Sequence, residues 1–282
     1  MTSGSFDICE DPVFIIGSPR SGTSILAWAL ACHSDLWTSV ESDVLYALFG
    51  NGQAENAYAE ATKRPGGQDW LSQFDVGRDE FLSYLGLGLN ALVTTRSEGL
   101  RWIDQTPRNT LIADVLARLF PRASFLHILR DGRRVVHSMT HFMGAIEPSR
   151  REEWARSGRL PMWASDFRTA CSTWQMFVKQ ATDFRSSHPD RCLTVVNERL
   201  VEHAESSFEP VFEFLGIRSE TAPSSYFGSH RINSSFAAAD SQAPQQLATP
   251  WHEWDEEQTA IFDQEAGEAF EIYRAAVASA AQ

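Results

Sequence analysis

Several features are scarce in this chain of 282 residues, and each absence removes a class of protein. No apolar run approaches the ~18 residues that a membrane-spanning helix needs. Met1–Pro12 has neither a basic start nor an apolar core, so no secretory signal is predicted there. The four cysteines, Cys9, Cys32, Cys171 and Cys192, form no CxxC pair. They read as reduced thiols, and with the missing leader they set the expectation of a cytoplasmic protein. No His/Cys cluster has zinc-ligand spacing, so no metal is expected. Basic charge is also short. The net charge of −13 argues against a general nucleic-acid binder. An anionic ligand would have to be captured by local cations in a cleft, because the overall field repels it. No internal repeat is visible, and a chain of this length can bury one core, so a single domain over residues 1–282 is expected.

What is present is an alternation of short apolar runs and longer amphipathic ones. Strands are predicted at Val13–Ile16, Leu100–Ile103, Phe125–Leu129 and Leu193–Val196. Helices are predicted at Thr23–Cys32, Arg78–Thr95, Thr110–Leu119, Arg133–Met143, Asp166–Ser187, Phe208–Leu215 and Asp255–Ala280. Such alternation is the pattern of an α/β fold with a parallel sheet flanked by helices. Three stretches, Gly50–Gly67, Glu147–Trp163 and Ser219–Trp251, read as long loops. Loops this long are usually functional, and they are assigned to the acceptor side of a cleft.

The most informative stretch is Gly17-Ser18-Pro19-Arg20-Ser21-Gly22-Thr23-Ser24, between the first strand and the first helix. A glycine-rich turn from strand to helix aims backbone N–H groups and a positive helix end at one point, which is an anion site. The spacing imitates a nucleotide-triphosphatase loop, but Thr23 stands where the phosphate-binding lysine belongs. The cation is Arg20, inside the loop. Further on, the strand Phe125–Leu129 runs into Arg130-Asp131-Gly132-Arg133-Arg134 and a helix carrying Ser138. Ligands of open α/β sheets bind outside the carboxyl ends of strands, where Arg130 sits. Its guanidinium fork suits a phosphate, and Ser138 can share it.

The blocks GSPRSGTS at 17–24 and FLHILRDGRRVVHSM at 125–139 resemble the two phosphate-binding motifs of sulfotransferases that use 3′-phosphoadenosine 5′-phosphosulfate (PAPS). Trp102-Ile103-Asp104-Gln105-Thr106-Pro107, Val196-Asn197-Glu198-Arg199-Leu200 and Phe214-Leu215-Gly216 extend the resemblance along nearly the whole chain. It is closer to the bacterial and Golgi-type branch, tyrosylprotein sulfotransferases included, than to the cytosolic one. The resemblance implies a P-loop-like central parallel sheet with helical and loop insertions forming an acceptor lid. It implies PAPS as co-substrate, 3′-phosphoadenosine 5′-phosphate (PAP) as product, and a small-molecule or peptide hydroxyl (or amine) acceptor. Ser18, Pro19, Arg20, Ser21, Gly22, Thr23 and Ser24 would hold the 5′-phosphosulfate. Arg130 and Ser138 would hold the 3′-phosphate, with Arg231 from a late loop as a further candidate. Arg20 would also steady charge on the leaving oxygen.

Glu41 follows the first helix and a short connector. In the branch that the chain resembles, a glutamate at the matching place is held to be the general base, so Glu41 is the candidate base. The alternative for Glu41 is a surface residue or helix cap before Asp43–Phe49. Two positions depart from the family pattern. Gln105 stands where a lysine is common, which removes a charge that Arg101, Arg108 or a lid arginine could replace. Asn197 stands where an aromatic is common. Asp131 and Glu198 read as helix caps or arginine partners, and Trp174 as core. Trp251 and Trp254 could close over adenine or pack the last helix. His127, in a strand, reads as a core or cleft-lining residue. Two other function classes stay open: a P-loop kinase or nucleotide hydrolase, and a PAP-binding module that does not turn over.

Overall fold

Strands buried on both faces read as continuous apolar runs, and here they build a parallel sheet between two helical layers. The computed structural model describes residues 7–63, 69–146, 148–156, 161–232, 240–241 and 249–280. In chain order the elements are β1 (Val13–Ile16), α1 (Thr23–Leu30), β2 (Leu36–Thr38), α2 (Gln53–Ala61), α3 (Trp70–Gln73), α4 (Arg78–Arg96) and β3 (Arg101–Asp104). Then come α5 (Ala113–Leu119), β4 (Ser124–Leu129), α6 (Gly132–Thr140), α7 (Phe142–Ala145), α8 (Pro148–Arg156) and α9 (Phe167–Ser187). The last are β5 (Cys192–Val196), α10 (Asn197–Glu202), α11 (Ala204–Leu215), α12 (Thr221–Ser229), β6 (Arg231–Ile232), β7 (Asp240–Ser241) and α13 (Glu256–Ala280). The five-stranded sheet has the order β2-β3-β1-β4-β5, and each of its pairings is parallel. β6 and β7 pair as a separate antiparallel ribbon.

Alternate residues of the strands feed opposite cores. Phe14, Ile16, Trp102 and Phe125 pack with residues of α4, α5 and α9. Val13, Ile15, Ile103, Leu126 and Ile128 pack with residues of α1, α11 and α12. The Phe14 ring lies 5.6 Å from Trp102, 5.3 Å from Phe120 and 5.4 Å from Phe125. Such aromatic pairs add about 0.5–1.5 kcal/mol each beyond area burial. A third core forms where α13 lies on α6 and α9 around Trp174 and Phe262. Trp174 leaves no room above Gly132, where an added Cβ would lie 2.4 Å from its ring.

Arg101 and Arg191 tie the amino ends of the strands together. Arg101 donates to the carbonyls of Asp11 and Leu215, both at 2.6 Å, and to Ser124 Oγ at 3.0 Å. It is spent at the edge opposite the phosphate-type loop, so it does not replace the charge missing at Gln105. Arg191 donates to the carbonyls of Ala117, Phe120 and Ala123, which caps the end of α5.

The structure corrects several readings of the chain. The span Gly50–Gly67 contains α2, and its residues 64–67 lie outside the described residues. The span Glu147–Trp163 contains α8, and Ser219–Trp251 contains α12 and the β6–β7 ribbon. Residues 147, 157–160, 233–239 and 242–248 of these spans lie outside the described residues. The expected helix at Thr110–Leu119 is a 3-10 turn over Pro107–Ile112 followed by α5. The edge strand β2 was not expected from the sequence.

His127 lies on β4, paired with Thr194 of β5 and Ile16 of β1, and is fully buried. Thr194 Oγ1 is 3.4 Å from its Nδ1, and its Nε2 has no partner. Burial first, and the charge of Arg185 second, push its pKa down to about 3. It is a core residue, not a base at the cleft. In the unfolded chain an imidazole titrates near ~6.5. A depressed folded-state pKa gives stability that is complete above about pH 6.5 and lost as pH falls toward about 3. Replacing His127 with Leu should therefore flatten the fall of melting temperature with pH in this window. A variant whose melting curve falls as steeply as that of the parent would refute this account.

Candidate functional site

The candidate residues that follow strands of the parallel sheet sit on its carboxyl edge, because every such strand ends on the same side. β1 delivers residues 17–24, β2 the Glu41 loop, β3 Gln105, β4 Arg130, and β5 Asn197 and Glu198. The loop after β1 is shaped by two left-handed turns. Arg20 has φ 69° and Gly22 has φ 102°. For Arg20 such a conformation is strained, and it recurs where a site imposes it. Gly22 is forced by its surroundings, since an added Cβ would lie 2.6 Å from Asn197 Nδ2. Asn197, the departure from the family pattern, is therefore the residue that roofs the turn. Thr110 Oγ1 grips the loop's first residue twice, accepting from Gly17 N at 2.8 Å and donating to Gly17 O at 3.1 Å. Ser21 N closes the turn on Ser18 O at 3.1 Å. α1 is capped at its start by Gly22, which offers no side-chain cap. Its first-turn N–H groups thus point at the space before the helix, with the positive end of its dipole.

The two arginines meet there. Arg130 Nη1 donates to the Arg20 carbonyl at 2.9 Å, and Arg20 Nε donates to Ser138 Oγ at 3.1 Å. The guanidinium of Arg20 also lies 5.1 Å from the Phe142 ring centre. The pKa of Arg20 is pulled down to about 10 by burial, then by Arg130, while Glu41 opposes the shift. Arg130 is lowered chiefly by burial, with Arg134 and Arg231 adding and Glu198 and Asp131 opposing. Arg20, at about 10, remains a cation at neutral pH. Arg130 Nε is buried with no hydrogen-bond partner. Glu41 therefore lies within electrostatic reach of Arg20, and Arg231 within reach of Arg130. The candidates Arg20, Glu41, Arg130, Ser138 and Arg231 thus converge on one region. Ser138 differs in one respect from its expected place. It joins Arg20, so the two phosphate-type blocks are directly linked.

Around this cluster stand residues that sequence reading assigned no direct part. Glu198 Oε1 accepts from Asp131 N at 3.1 Å and lies 3.8 Å from Arg134 Nε. Burial raises the pKa of Glu198. Asp131 caps α6 through Arg133 N and also binds the Arg133 side chain. Trp251 stacks on Arg133 at 3.6 Å, while Trp254 packs on Phe167 and Phe262. Both tryptophans therefore fasten the α13 region to the body of the protein.

Glu41 is exposed, on the loop that leaves β2. The residues around it are fixed. Gln105 Nε2 donates to Ser39 O at 3.2 Å, Ser42 N donates to Thr106 Oγ1 at 3.2 Å, and Ser42 Oγ donates to Asp104 Oδ2 at 3.0 Å. Gln105 is buried, so its position supplies an amide and no cation. Arg108 is half exposed, 3.7 Å from Asp43 and 4.1 Å from the Tyr46 ring centre. Among the described residues, no group of three or more His, Cys, Asp or Glu is arranged to hold a metal. This edge of the sheet can hold an anion at two linked points and place a carboxylate beside it.

The sulfotransferase family model matches residues 12–221. Protein-tyrosine sulfotransferase 2 of Gallus gallus is 27% identical over 213 residues, covering 73% of this chain and 51% of its own length. The chain spans about half the length of the curated relatives it matches. The sulfotransferase domain from the curacin biosynthetic pathway superposes with a TM-score of 0.52 at 16% identity, covering 92% of this chain and 91% of that one. A mouse sulfotransferase, SULT7A1, solved with PAP, gives a TM-score of 0.50 at 13% identity over 98% of this chain and 90% of that one. The fold is that of the sulfotransferases. These relatives overturn the cytoplasmic expectation. The curated relatives are named protein-tyrosine sulfotransferases, which are not cytoplasmic enzymes. With only part of their length matched, the composition of Met1–Pro12 carries no weight about compartment. Among the described residues no helix is long and apolar enough to cross a membrane.

The turn at Gly22 yields a direct test. Gly22→Ala should cost about 1–2 kcal/mol for the left-handed backbone alone. The contact with Asn197 adds to that cost. Asn197→Ala in the same chain should recover part of the loss, measured as unfolding free energy in urea. An unchanged unfolding midpoint in Gly22→Ala would mean that this φ is not required.

Proposed function

The chain belongs to the sulfotransferase family, and from that premise we propose that it moves a sulfuryl group from PAPS to a hydroxyl acceptor, as one domain over residues 1–282. The observation that carries this reading is the joined pair of half-buried arginines, Arg20 and Arg130, at the uncapped start of α1. Two mutually repelling cations in a chain of net charge −13 are a place for a ligand with two anionic ends. Arg20, the N–H groups of Ser21 to Ser24, and the hydroxyls of Ser18, Thr23 and Ser24 would hold the 5′-phosphosulfate, with Pro19 and Gly22 shaping the loop. Arg130, Ser138 and Arg231 would hold the 3′-phosphate.

The reaction needs little covalent chemistry from the protein. The acceptor oxygen attacks sulfur in line, forming a new S–O bond. The bond from sulfur to the bridging oxygen of the 5′-phosphate breaks, and its electron pair leaves with PAP. The proton of the acceptor hydroxyl passes to the Glu41 carboxylate. Arg20 and the helix N–H groups steady the charge that grows on the leaving oxygen. Several curated relatives are named protein-tyrosine sulfotransferases, so a tyrosyl phenol is the acceptor to test first. A kinase reading lacks a lysine after Gly22. Gln105 favours one other reading, a PAP-binding homologue weakened in transfer, which turnover separates from the first.

Two measurements check the proposal. By calorimetry PAP should bind far more tightly than adenosine 5′-phosphate, and Arg130→Ala should remove about 1.5–3 kcal/mol of that preference. Equal affinities in the parent protein would sink the assignment of the 3′-phosphate site. Glu41→Gln should keep PAP affinity and melting temperature while transfer from PAPS to a tyrosyl peptide falls by about 10²–10⁴-fold. If Glu41 only caps a helix, the same change would lower stability and leave turnover per folded molecule intact.

A further inference from the structure

Glu41 is exposed on an irregular loop after a three-residue edge strand. A base must stay within hydrogen-bond reach of the proton it takes. An unrestrained glutamate here would spend little time in one place, yet the chain on both sides of it is held. The carbonyl of Ser39 accepts from Gln105 Nε2 at 3.2 Å. Ser42 is held twice, by Thr106 Oγ1 at 3.2 Å through its N–H and by Asp104 Oδ2 at 3.0 Å through its hydroxyl. The three partners are consecutive residues where the chain leaves β3. The same segment continues into the turn Pro107–Ile112, whose Thr110 grips Gly17 at 2.8 and 3.1 Å. One stretch of seven residues, 104–110, therefore touches both the loop that carries Glu41 and the loop that carries Arg20.

We propose that Asp104, Gln105 and Thr106 are positioning residues that latch the Glu41 loop in register with the phosphate loop, Asp104 acting through the Ser42 hydroxyl. The inference rests on the reading of Glu41 as base. Asp104 is the anchor because its carboxylate is already committed. Oδ1 accepts from Thr106 N at 2.8 Å and Asn109 Nδ2 at 3.0 Å, and Oδ2 takes Ser42. A carboxylate filled in this way serves as a fixed point and not as a second base. The latch also gives Gln105 a task. Its amide N–H₂ holds Ser39, which needs a donor of fixed reach and no charge.

The test uses PAPS with two phenols: 4-nitrophenol at a pH where it is ionised, and phenol, which still carries its proton. Ser42→Ala, Asp104→Asn, the double variant, Thr106→Val and Ser42→Thr are compared with the parent and with Glu41→Gln. Ser42→Ala and Thr106→Val should slow transfer to phenol roughly 10–100-fold, the effect of a small misplacement of a catalytic group. Transfer to ionised 4-nitrophenol and PAP affinity should stay near parental values. Ser42→Thr, which keeps the hydroxyl, should restore most of the rate on phenol. The double variant should be no slower than Asp104→Asn alone, since both changes open the same link. Parental rates for Ser42→Ala on phenol, or multiplying losses in the double variant, overturn the latch. Should Asp104→Asn fail to fold, Ser42→Ala and Thr106→Val decide the matter alone. If Glu41→Gln itself keeps the parental rate on phenol, the base assignment falls and the latch with it. If Glu41→Gln is slow and Ser42→Ala is not, only the latch falls.

Discussion

The structure turns on a pair of like charges held close together and half-buried. Arg20 and Arg130 come from different strand ends, and the second donates to the carbonyl of the first at 2.9 Å. Burial lowers the pKa of both, and each suffers from cationic neighbours. Such a pair is unfavourable in itself, because removing charge from water costs several kcal/mol and repulsion adds to it. The fold tolerates it through partial compensation by Ser138, Phe142, Glu41 and Glu198. An anion bound between the arginines would complete that compensation. The empty site and the filled site should then differ in stability, in proportion to how tightly the anion is held.

The arrangement also settles how an acidic protein can take an acidic ligand. With a net charge of −13, the long-range field works against capture. The remedy is local. Arg20, Arg130, Arg134 and Arg231 are gathered at one sheet edge, and the uncapped start of α1 faces the same region. At short range in a site of low dielectric, these cations outweigh the distant carboxylates, which salt screens beyond ~8–10 Å.

Much of this was legible in the sequence, for identifiable reasons. β1, β4 and β5 lie inside the sheet or under helices, so their burial forces apolar runs that a reader can see. The phosphate-type loop is local in sequence, and so is the Arg130–Ser138 block. β2 escaped because it is a three-residue edge strand with a half-buried tryptophan at its centre. α2 escaped because it buries only Ala54 and so shows little apolar periodicity. The grip of Asn197 on Gly22 and of Thr110 on Gly17 could not be read, since each joins residues far apart in the chain. The composition of the chain's start misled the reading of compartment, because a part of a longer family pattern says nothing about what surrounds it.

Gln105 brings these points together. With an amide where a lysine is common, the proposed transfer would draw its positive charge from Arg20 and the helix start. Arg101 is committed to backbone carbonyls at the far edge, and Arg108 is engaged with Asp43 and Tyr46. Losing one electrostatic donor typically costs about 2.7–4 kcal/mol of transition-state stabilisation. In the proposed reaction, an amide at 105 would move the burden of catalysis toward orientation. That shift is consistent with how firmly segment 104–110 holds both the Glu41 loop and the loop that carries Arg20. Precise placement can recover several kcal/mol that a missing charge forfeits, and in this chain the residue that gave up the charge is one of those that fix the placement.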